Sequence, residues 1–311
     1  MTESCQGYQC PAGNTRDPPE MSESRRRDPL LRGKSWCQWL TEREIGARKE
    51  CSKMLKLRIL NTIAPSYFLG VSITTMILQS FVFIPTIFAD DFRRPWSYYG
   101  CHFIFFLFIS ANVLGNYFLI LWYPSESLQS TSSLDESEAL QPGSHFCKLC
   151  SKVILRRDHH CFFTANCIGN RNMRYFLMFG WYTSIVCLYS LVVGVAYLSV
   201  EYHLSFENPL TFLTLLPLSF FHFFFSMIPS FQLFLVLMLY IWLGIGLTCA
   251  GFCCQQILLV ARGRTWYHLK KGMPAVRCTP WGVNLQDVFG KRWLLGFFFP
   301  IPTVPVDSKD K

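Results

Sequence analysis

Residues 147–167 read CKLCSKVILRRDHHCFFTANC, and this stretch decides how the chain is organised. It holds four cysteines and two adjacent histidines. A structural zinc ion takes four tetrahedral ligands, and a C-x2-C pair completed by a later His or Cys lets a short loop wrap the ion. Cys147, Cys150, one of the two histidines and Cys167 fill one such site. Cys161 and the other histidine are then left over.

The groups left over have the composition of a nucleophilic site. A Cys thiol has a reference pKa of about 8.5 and is mostly protonated at neutral pH. A working nucleophile therefore needs an imidazole beside it and a carboxylate that orients the imidazole. Asp158, His159 and Cys161 supply these groups. A C-x2-C pair alone could be coincidence in a chain with 14 cysteines, and an adjacent His pair alone could be a surface or packing pair. Their occurrence together in one short stretch favours a functional site.

Residues 158–161 (DHHC), with Asn166, Cys167, Ile168 and Gly169 and then Asn172 and Phe176, resemble the cysteine-rich domain of the DHHC-type protein S-acyltransferases. The hydrophobic pattern extends this resemblance from about residue 54 to about residue 290. Residues 289–296 (FGKRWLLG) resemble one branch of the family in particular.

The resemblance implies a role for each residue of the motif. Cys161 would be acylated by a fatty acyl-CoA such as palmitoyl-CoA and would pass the acyl group to a protein thiol. His159 would act as base and Asp158 would orient it. His160 would bind one structural Zn²⁺ together with Cys147, Cys150 and Cys167. The substrates implied are proteins with membrane-proximal cytosolic cysteines.

Several positions depart from the family pattern. A second zinc site in that family uses a His and a Cys where Phe146 and Val153 stand here, and no cysteine lies between Cys101 and Cys147. The second zinc is therefore predicted to be lost, which leaves the upstream lobe loose unless packing or the membrane holds it. Phe162 and Phe163 replace the usual Pro and Trp. The family has two short motifs after the fourth membrane helix. Only Thr265 of the first motif is present here, and Asn284 corresponds to the Asn of the second.

The composition is that of a multi-pass membrane protein, with 51% hydrophobic and 16% aromatic residues. We predict an all-α polytopic protein, because four apolar runs reach the roughly 20 residues needed to cross a bilayer. The predicted transmembrane helices are 63–89, 98–123, 175–200 and 231–261. A fifth apolar run, 209–229, contains Pro217 and is predicted to be a luminal interfacial or re-entrant segment.

Topology follows from lysine and arginine, which concentrate on the cytoplasmic side of membranes. Of 29 such residues, 12 precede the first predicted span, 6 lie between the second and third, and 9 follow residue 261. An even number of crossings on each side of the cysteine-rich stretch places all three basic segments in the cytoplasm. The zinc-binding domain is then cytosolic, between the second and third helices, where reducing conditions keep thiols free.

The chain is thereby divided into five regions. Residues 1–53, rich in Pro, Ser, Glu and Arg, are predicted to be a basic, disordered extension. Two transmembrane hairpins, 54–123 and 175–261, flank a cytosolic loop, 124–174, with its cysteine-rich core at 145–172, and residues 262–311 form a cytosolic tail. There is no apolar run near Met1, so a cleaved signal peptide is not predicted. The resemblance implies residence in the endoplasmic reticulum or Golgi membrane.

The predicted function is S-palmitoyl transfer from acyl-CoA through Cys161 to protein thiols. Arg156 and Arg157 are candidates for binding the CoA phosphates, although basic residues beside a membrane also face anionic lipid. The net charge of +9 does not indicate nucleic acid, because the basic clusters flank hydrophobic spans. One alternative is a non-catalytic membrane adaptor that binds partner proteins. The other is a metal channel or transporter, which is disfavoured because the spans contain few ionisable residues. Substrate identity, acyl-chain length and oligomeric state stay open.

Overall fold

The computed structural model describes residues 36–88, 98–126, 143–206, 208, 210–290 and 293–302. The chain divides into two compact units, Met1–Asn61 and Thr62–Lys311. All residues of the predicted site belong to the second unit.

Helices make up most of the described chain. The long ones are α1 (Trp36–Ile77), α3 (Tyr98–Trp122), α4 (Met173–Glu201) and α6 (Ser230–Ala261), and the short ones are α2 (Ile84–Ile87), α5 (Thr211–Phe224), α7 (Trp266–Lys271), α8 (Trp281–Phe289) and α9 (Trp293–Phe298). A π-helical segment, Leu78–Phe83, joins α1 to α2. It precedes Pro85, which has no N–H to donate within an α-helical ladder.

Four helical segments are long and apolar enough to cross a membrane: Arg48–Ile87, Tyr98–Trp122, Met173–Glu201 and Ser230–Ala261. The prediction of four membrane-length helices is confirmed. The fifth apolar run forms α5, whose 14 residues span about 21 Å at 1.5 Å per residue, less than the roughly 30 Å of a bilayer core. Its position is fixed by Tyr240 of α6, whose hydroxyl donates to the Phe212 carbonyl and accepts from the Leu216 amide at 3.2 Å.

Two predictions about the fold need correction. The first is disorder throughout 1–53, which is wrong for residues 36–53, because these are helical. Arg48, Lys49, Glu50 and Lys53 are good helix formers, which explains the helix despite its polarity. Residues 1–35 lie outside the described part of the chain.

The second correction concerns the all-α class. The cysteine-rich stretch forms two antiparallel β-hairpins, β1 (His145–Cys147) with β2 (Lys152–Ile154), and β3 (His159–Cys161) with β4 (Asn166–Ile168). Ligands only a few residues apart need tight turns to converge, and Ser151 and Ala165 provide them with φ of 56° and 48°. The protein is therefore mostly helical, with a small β substructure at the site.

Helix α4 packs against both α3 and α6. Tyr117 and Ile120 of α3 and Phe176 of α4 are buried in one cluster that also includes Cys161 and Ile168. The approach of α4 to α6 depends on Gly180, because a Cβ there would lie 2.6 Å from the Cys253 sulfur. The β3–β4 hairpin is therefore seated directly on the helix bundle.

Candidate active site

The two hairpins bring the four predicted zinc ligands together. In β1–β2, the Ser151 amide donates to the Cys147 carbonyl at 2.8 Å, which closes the turn that carries Cys147 and Cys150. In β3–β4, the register pairs His160 directly with Cys167. The ligand atoms of all four residues lie within 4.8 Å of one another.

The spacing of these atoms fits a tetrahedral ion. Zinc bonds of about 2.3 Å to sulfur and about 2.0–2.1 Å to nitrogen place neighbouring ligand atoms about 3.5–3.8 Å apart. The His160 Nδ1 lies 3.3 Å from the Cys150 sulfur, 3.5 Å from that of Cys167 and 3.9 Å from that of Cys147. The Cys150 and Cys167 sulfurs are 3.5 Å apart. Three thiolates and one imidazole are a donor set that zinc prefers.

Phe146 and Val153, which are predicted to replace the ligands of a second zinc site, are cross-strand partners in β1–β2. Val153 is buried, whereas Phe146 is half exposed. This hairpin is also anchored by backbone bonds, since the Leu155 amide donates to the Ser125 carbonyl at 2.9 Å and the Arg157 amide to that of Gly143 at 3.0 Å. Packing and hydrogen bonds thus hold the described part of this lobe.

Asp158, His159 and Cys161 form a connected group beside the metal cluster. The His159 Nδ1 donates to the Asp158 Oδ2 at 2.7 Å, and the imidazole and the Cys161 thiol are close enough to shift each other's pKa. The Asp158 carboxylate is fully buried, and Cys161 is only 8% exposed. The His159 ring is wedged edge-on between Phe176 of α4 and Phe252 of α6, at centroid distances of 5.0 and 5.7 Å. The imidazole is therefore fixed from several sides.

The surroundings shift the protonation equilibria of this group towards a charged pair. Burial lowers the pKa of His159, but its hydrogen bonds to Asp158 and Cys161 outweigh this and raise the pKa to about 9. Burial raises the pKa of the Cys161 thiol, but the hydrogen bond and charge of His159 and the contact with Thr164 outweigh it, so that the pKa is lowered. Both shifts favour thiolate and imidazolium, the reactive form of a Cys–His pair.

Sequence reasoning missed three groups that support this arrangement. The Asp158 Oδ1 accepts from the Trp266 amide at 2.7 Å, and its Oδ2 accepts from the Gln256 side chain at 2.9 Å. The fully buried Thr164 donates to the Cys161 carbonyl at 3.4 Å. For Gln256 the sequence offers only a general signal, because an amide side chain within an apolar helix usually has a polar partner, but nothing in the sequence identifies that partner.

Thr265 and Asn284 hold the chain that follows α6. Thr265 caps α7 by accepting from the His268 amide at 3.3 Å, and its hydroxyl is 2.7 Å from the His268 Nδ1. The Asn284 side chain donates to the carbonyls of Ala261 and Thr279, each at 3.0 Å. Because Trp266 is the first residue of α7, the Thr265 cap fixes the amide that meets Asp158.

Both arginines predicted to bind CoA have protein partners. Arg157 donates to the Phe146 carbonyl at 3.1 Å and lies 5.2 Å from the centre of the Tyr267 ring, so it links β1 to α7. Arg156 donates to the Asn170 side chain at 3.1 Å and borders a small cavity of about 60 Å³. Burial and the nearby Arg277 lower the pKa of Arg156 to about 10. Of the two, Arg156 has further arginines near it, because Arg264 and Arg277 border the same cavity.

Four membrane-length helices fit the class of multi-pass membrane proteins, and here a cysteine–histidine pair adjoins a zinc-compatible Cys3His cluster. The family model described as DHHC palmitoyltransferase matches residues 136–272. Palmitoyltransferase ZDHHC22 of Danio rerio is 56% identical over 260 residues, covering 81% of this chain and 94% of that protein. Palmitoyltransferase ZDHHC22 of Homo sapiens is 50% identical over 258 residues, covering 82% and 98%.

The chain belongs to the DHHC palmitoyltransferase family. The branch indicated by residues 289–296, the member numbered twenty-two, agrees with these relatives. The chain is also similar to a plant protein, Probable protein S-acyltransferase 13 of Arabidopsis thaliana. The two are 33% identical over 174 residues, which cover 55% of this chain and 51% of that protein.

Proposed function

We propose that this chain is a protein S-palmitoyltransferase that works in two steps through Cys161. The observation that carries this proposal is the separation of two groups: the sulfur of Cys161 lies in the Asp158–His159 network, while four other residues form the metal cluster. A finger that served only to bind partner proteins would have no need of a buried carboxylate–imidazole–thiol chain. The adaptor alternative is therefore not favoured.

In the first step, the Cys161 thiolate attacks the carbonyl carbon of the acyl-CoA thioester. The carbon–sulfur bond to CoA breaks, and the leaving CoA sulfur takes the proton of the His159 imidazolium. The products are an S-acyl enzyme and free CoA. Asp158 keeps the imidazole oriented throughout, since it accepts from Nδ1 and leaves the other ring nitrogen for proton transfer.

In the second step, a cysteine thiol of a protein substrate loses its proton to His159 and attacks the acyl carbon on Cys161. The bond between the acyl group and Cys161 breaks, and Cys161 returns as thiolate beside imidazolium. Atoms and charges balance over the two steps, and no further reactant is needed.

One structural zinc ion fits the cluster of Cys147, Cys150, His160 and Cys167. When bound, it would cross-link the two hairpins and so hold β3 in place. We propose a single ion per chain, because Phe146 and Val153 replace the ligands of the second family site. The role of the metal is structural, and every proton transfer is assigned to His159.

The proposed orientation places this domain in the cytosol between the second and third transmembrane helices, with both termini cytoplasmic. Support comes from the distribution of lysine and arginine and from the tie between hairpin and bundle, where Asn166 donates to the Ile120 carbonyl of α3 at 3.0 Å. Ile120 lies close to the end of α3 at Trp122, which supports a position for Cys161 at the membrane boundary. Acyl-CoA, the substrate proteins and membrane lipid then meet at one surface, and Arg156 is the better placed of the two arginines to meet the CoA phosphates. Residence in the endoplasmic reticulum or Golgi belongs to the same proposal.

Helix α5 completes the proposed topology as a luminal interfacial segment. Leu213, Phe220, Phe221 and Phe224 are exposed, which suits the acyl boundary of a bilayer. A crossing at this point would move the basic C-terminal tail to the lumen, against the distribution of positive charge.

The test is acylation of the purified full-length chain by labelled palmitoyl-CoA. We expect one hydroxylamine-sensitive label in the native protein and none in Cys161→Ser. Cys254→Ser, which changes an exposed cysteine of α6, is the matched control and should keep the label. A label that survives in Cys161→Ser would refute the assignment. Transfer of the label to an added cysteine peptide tests the second step.

A further inference from the structure

Gln256 lies near the end of α6 (Ser230–Ala261), and its side chain is fully buried. Its Nε2 donates to the Asp158 Oδ2 at 2.9 Å, and this is the same oxygen that accepts from the His159 Nδ1 at 2.7 Å. Among the described residues, Gln256 is the one side chain of α6 that hydrogen-bonds this carboxylate. A side chain of the helix bundle thus donates to the same Asp158 oxygen that orients the His159 imidazole.

The carboxylate of Asp158 is held at both oxygens by groups far away in sequence. The Trp266 amide holds Oδ1 at 2.7 Å, while Gln256 and His159 share Oδ2. Without Gln256, the carboxylate would have an anchor independent of His159 at Oδ1 alone, and it could turn about its last side-chain bond together with the imidazole. With Gln256 it cannot turn without breaking a hydrogen bond to α6. Since His159 takes its direction from this carboxylate, the restraint is passed on to the imidazole.

We propose that Gln256 is a positioning residue for acyl transfer, which fixes the plane of the Asp158 carboxylate and through it the orientation of the His159 ring towards Cys161. This inference rests on the roles proposed above for Asp158, His159 and Cys161. It adds a residue of α6 that touches none of the reacting atoms. The gain is a more favourable geometry for proton transfer rather than a new chemical group.

The hydrogen bonding of the Gln256 amide supports this role over simple packing. A buried amide is unfavourable unless it is hydrogen-bonded, so an apolar side chain of equal length would fill the same space better. The Nε2 faces an ionised acceptor, and the Oε1 has no hydrogen-bond partner among the described residues. One half of the amide is thus left unsatisfied while the other half meets Asp158. The donor therefore accounts for the presence of glutamine here.

Three substitutions at this position separate donor from volume. Gln256→Met keeps the length and removes the donor, Gln256→His keeps an N–H donor on a different shape, and Gln256→Glu places a carboxylate against that of Asp158. Gln255→Met is the matched control, because Gln255 is exposed on the same helix. The measurement is single-turnover acylation of the purified full-length chain by labelled palmitoyl-CoA over a range of concentrations, with bound zinc and thermal unfolding recorded for each variant.

We expect the maximal rate of acylation to fall about 10- to 100-fold in Gln256→Met, less than the roughly 10²–10⁴-fold contribution of an acid–base group itself. The palmitoyl-CoA concentration at half-maximal rate should stay within about twofold, because Gln256 acts on orientation and not on binding. Gln256→His should recover most of the rate, Gln256→Glu should be the slowest, and Gln255→Met should match the native protein.

A packing role predicts a different order, with Met at least as active as His. That order, or a native rate in Gln256→Met, would overturn the inference. Should Gln256→Met fail to fold, Gln256→His decides, because it keeps an N–H donor in a different shape, and a rate far below native with zinc retained would overturn the inference. Failure of the proposed function is distinguishable, since it would appear as a label that persists in Cys161→Ser whatever stands at position 256.

Discussion

Replacing Asp158 by Asn tests the catalytic assignment most directly, because three hydrogen bonds converge on this one carboxylate. They come from the Trp266 amide at 2.7 Å, from Gln256 at 2.9 Å and from His159 at 2.7 Å. In the native protein each of these three N–H groups donates to an oxygen of the Asp158 carboxylate. An asparagine offers one acceptor oxygen and one NH2 group, so at least one donor would face another donor.

The magnitude follows from these contacts. If the amide oxygen takes the place of Oδ2, the bonds from His159 and Gln256 survive and the Trp266 amide loses its partner. The loss of one hydrogen bond to a charged group lowers the free energy of unfolding by about 1.5–3 kcal/mol. The negative charge beside His159 disappears in either orientation. Because that charge and its hydrogen bond raise the pKa of His159, the pKa should fall from about 9 in the variant.

The expected effect on rate is larger than the effect on stability. Exchanging the carboxylate of a Ser-His-Asp triad for an amide slows catalysis by about 10⁴-fold. Here the charge that stabilises the imidazolium is lost in either amide orientation, and where the NH2 group faces Nδ1 the imidazole is also held in the wrong tautomer. We therefore expect Asp158→Asn to acylate Cys161 about 10³- to 10⁴-fold more slowly at saturating palmitoyl-CoA. The assay is single-turnover labelling, with bound zinc and melting temperature measured on the same sample.

The matched control is Glu126→Gln, which makes the same carboxylate-to-amide change in an exposed ion pair with Lys152. An exposed pair contributes about 0–1 kcal/mol, so this variant should melt and acylate as the native protein does. A rate for Asp158→Asn within about threefold of native, with zinc retained, would refute the assignment of Asp158 as the group that orients His159.

Three further predictions concern the metal, the bundle and the arginines. Metal analysis should find one zinc ion per chain, Cys150→Ser should lose it and unfold at lower temperature, and two ions in the native protein would contradict the ligand assignment. Gly180→Ala should destabilise the bundle by about 1–3 kcal/mol in a thermal melt, because the added Cβ would lie 2.6 Å from the Cys253 sulfur. Gly251→Ala, where a Cβ has no neighbour from the rest of the described chain within 4 Å, should leave the melting temperature unchanged. Equal melting temperatures of the two variants would contradict the close contact of α4 with α6. Arg156→Gln should raise the half-saturating concentration of palmitoyl-CoA. Arg157→Gln should mainly lower the melting temperature, because it removes the link from Phe146 to Tyr267. The reverse pattern would contradict the assignment of Arg156 to binding and Arg157 to stability.

The local part of the site was predictable because its spacing is set within a few residues. The C-x2-C pair, the adjacent histidines and the later cysteine can reach one ion only through short turns, and the structure forms those turns. The four membrane-length helices were predictable for a similar reason, since length and apolar composition are properties of a continuous stretch.

The supporting groups were not predictable in this way. Gln256 and Trp266 meet Asp158 from 98 and 108 positions away in sequence, and only the packing of α4 against α6 brings them near. The first motif after α6 shows why the side chains alone are a poor guide. Only Thr265 of that motif is kept, yet the group that contacts Asp158 is the backbone amide of Trp266. A backbone amide is present whatever the side chain, so its role leaves no mark on the sequence.

The order of residues in β3 explains how one short strand serves two kinds of chemistry. Successive side chains of a strand point to opposite faces, so His159 and Cys161 share one face and His160 takes the other. The observed contacts follow this alternation: His159 meets Asp158 and Phe176, whereas His160 meets the sulfurs of Cys150 and Cys167. A metal ion bound on one face would thus fix the strand without occupying the proposed nucleophile on the other. Because the register places His160 opposite Cys167, any shift of the strand by one residue would exchange the two faces and turn Cys161 towards the metal.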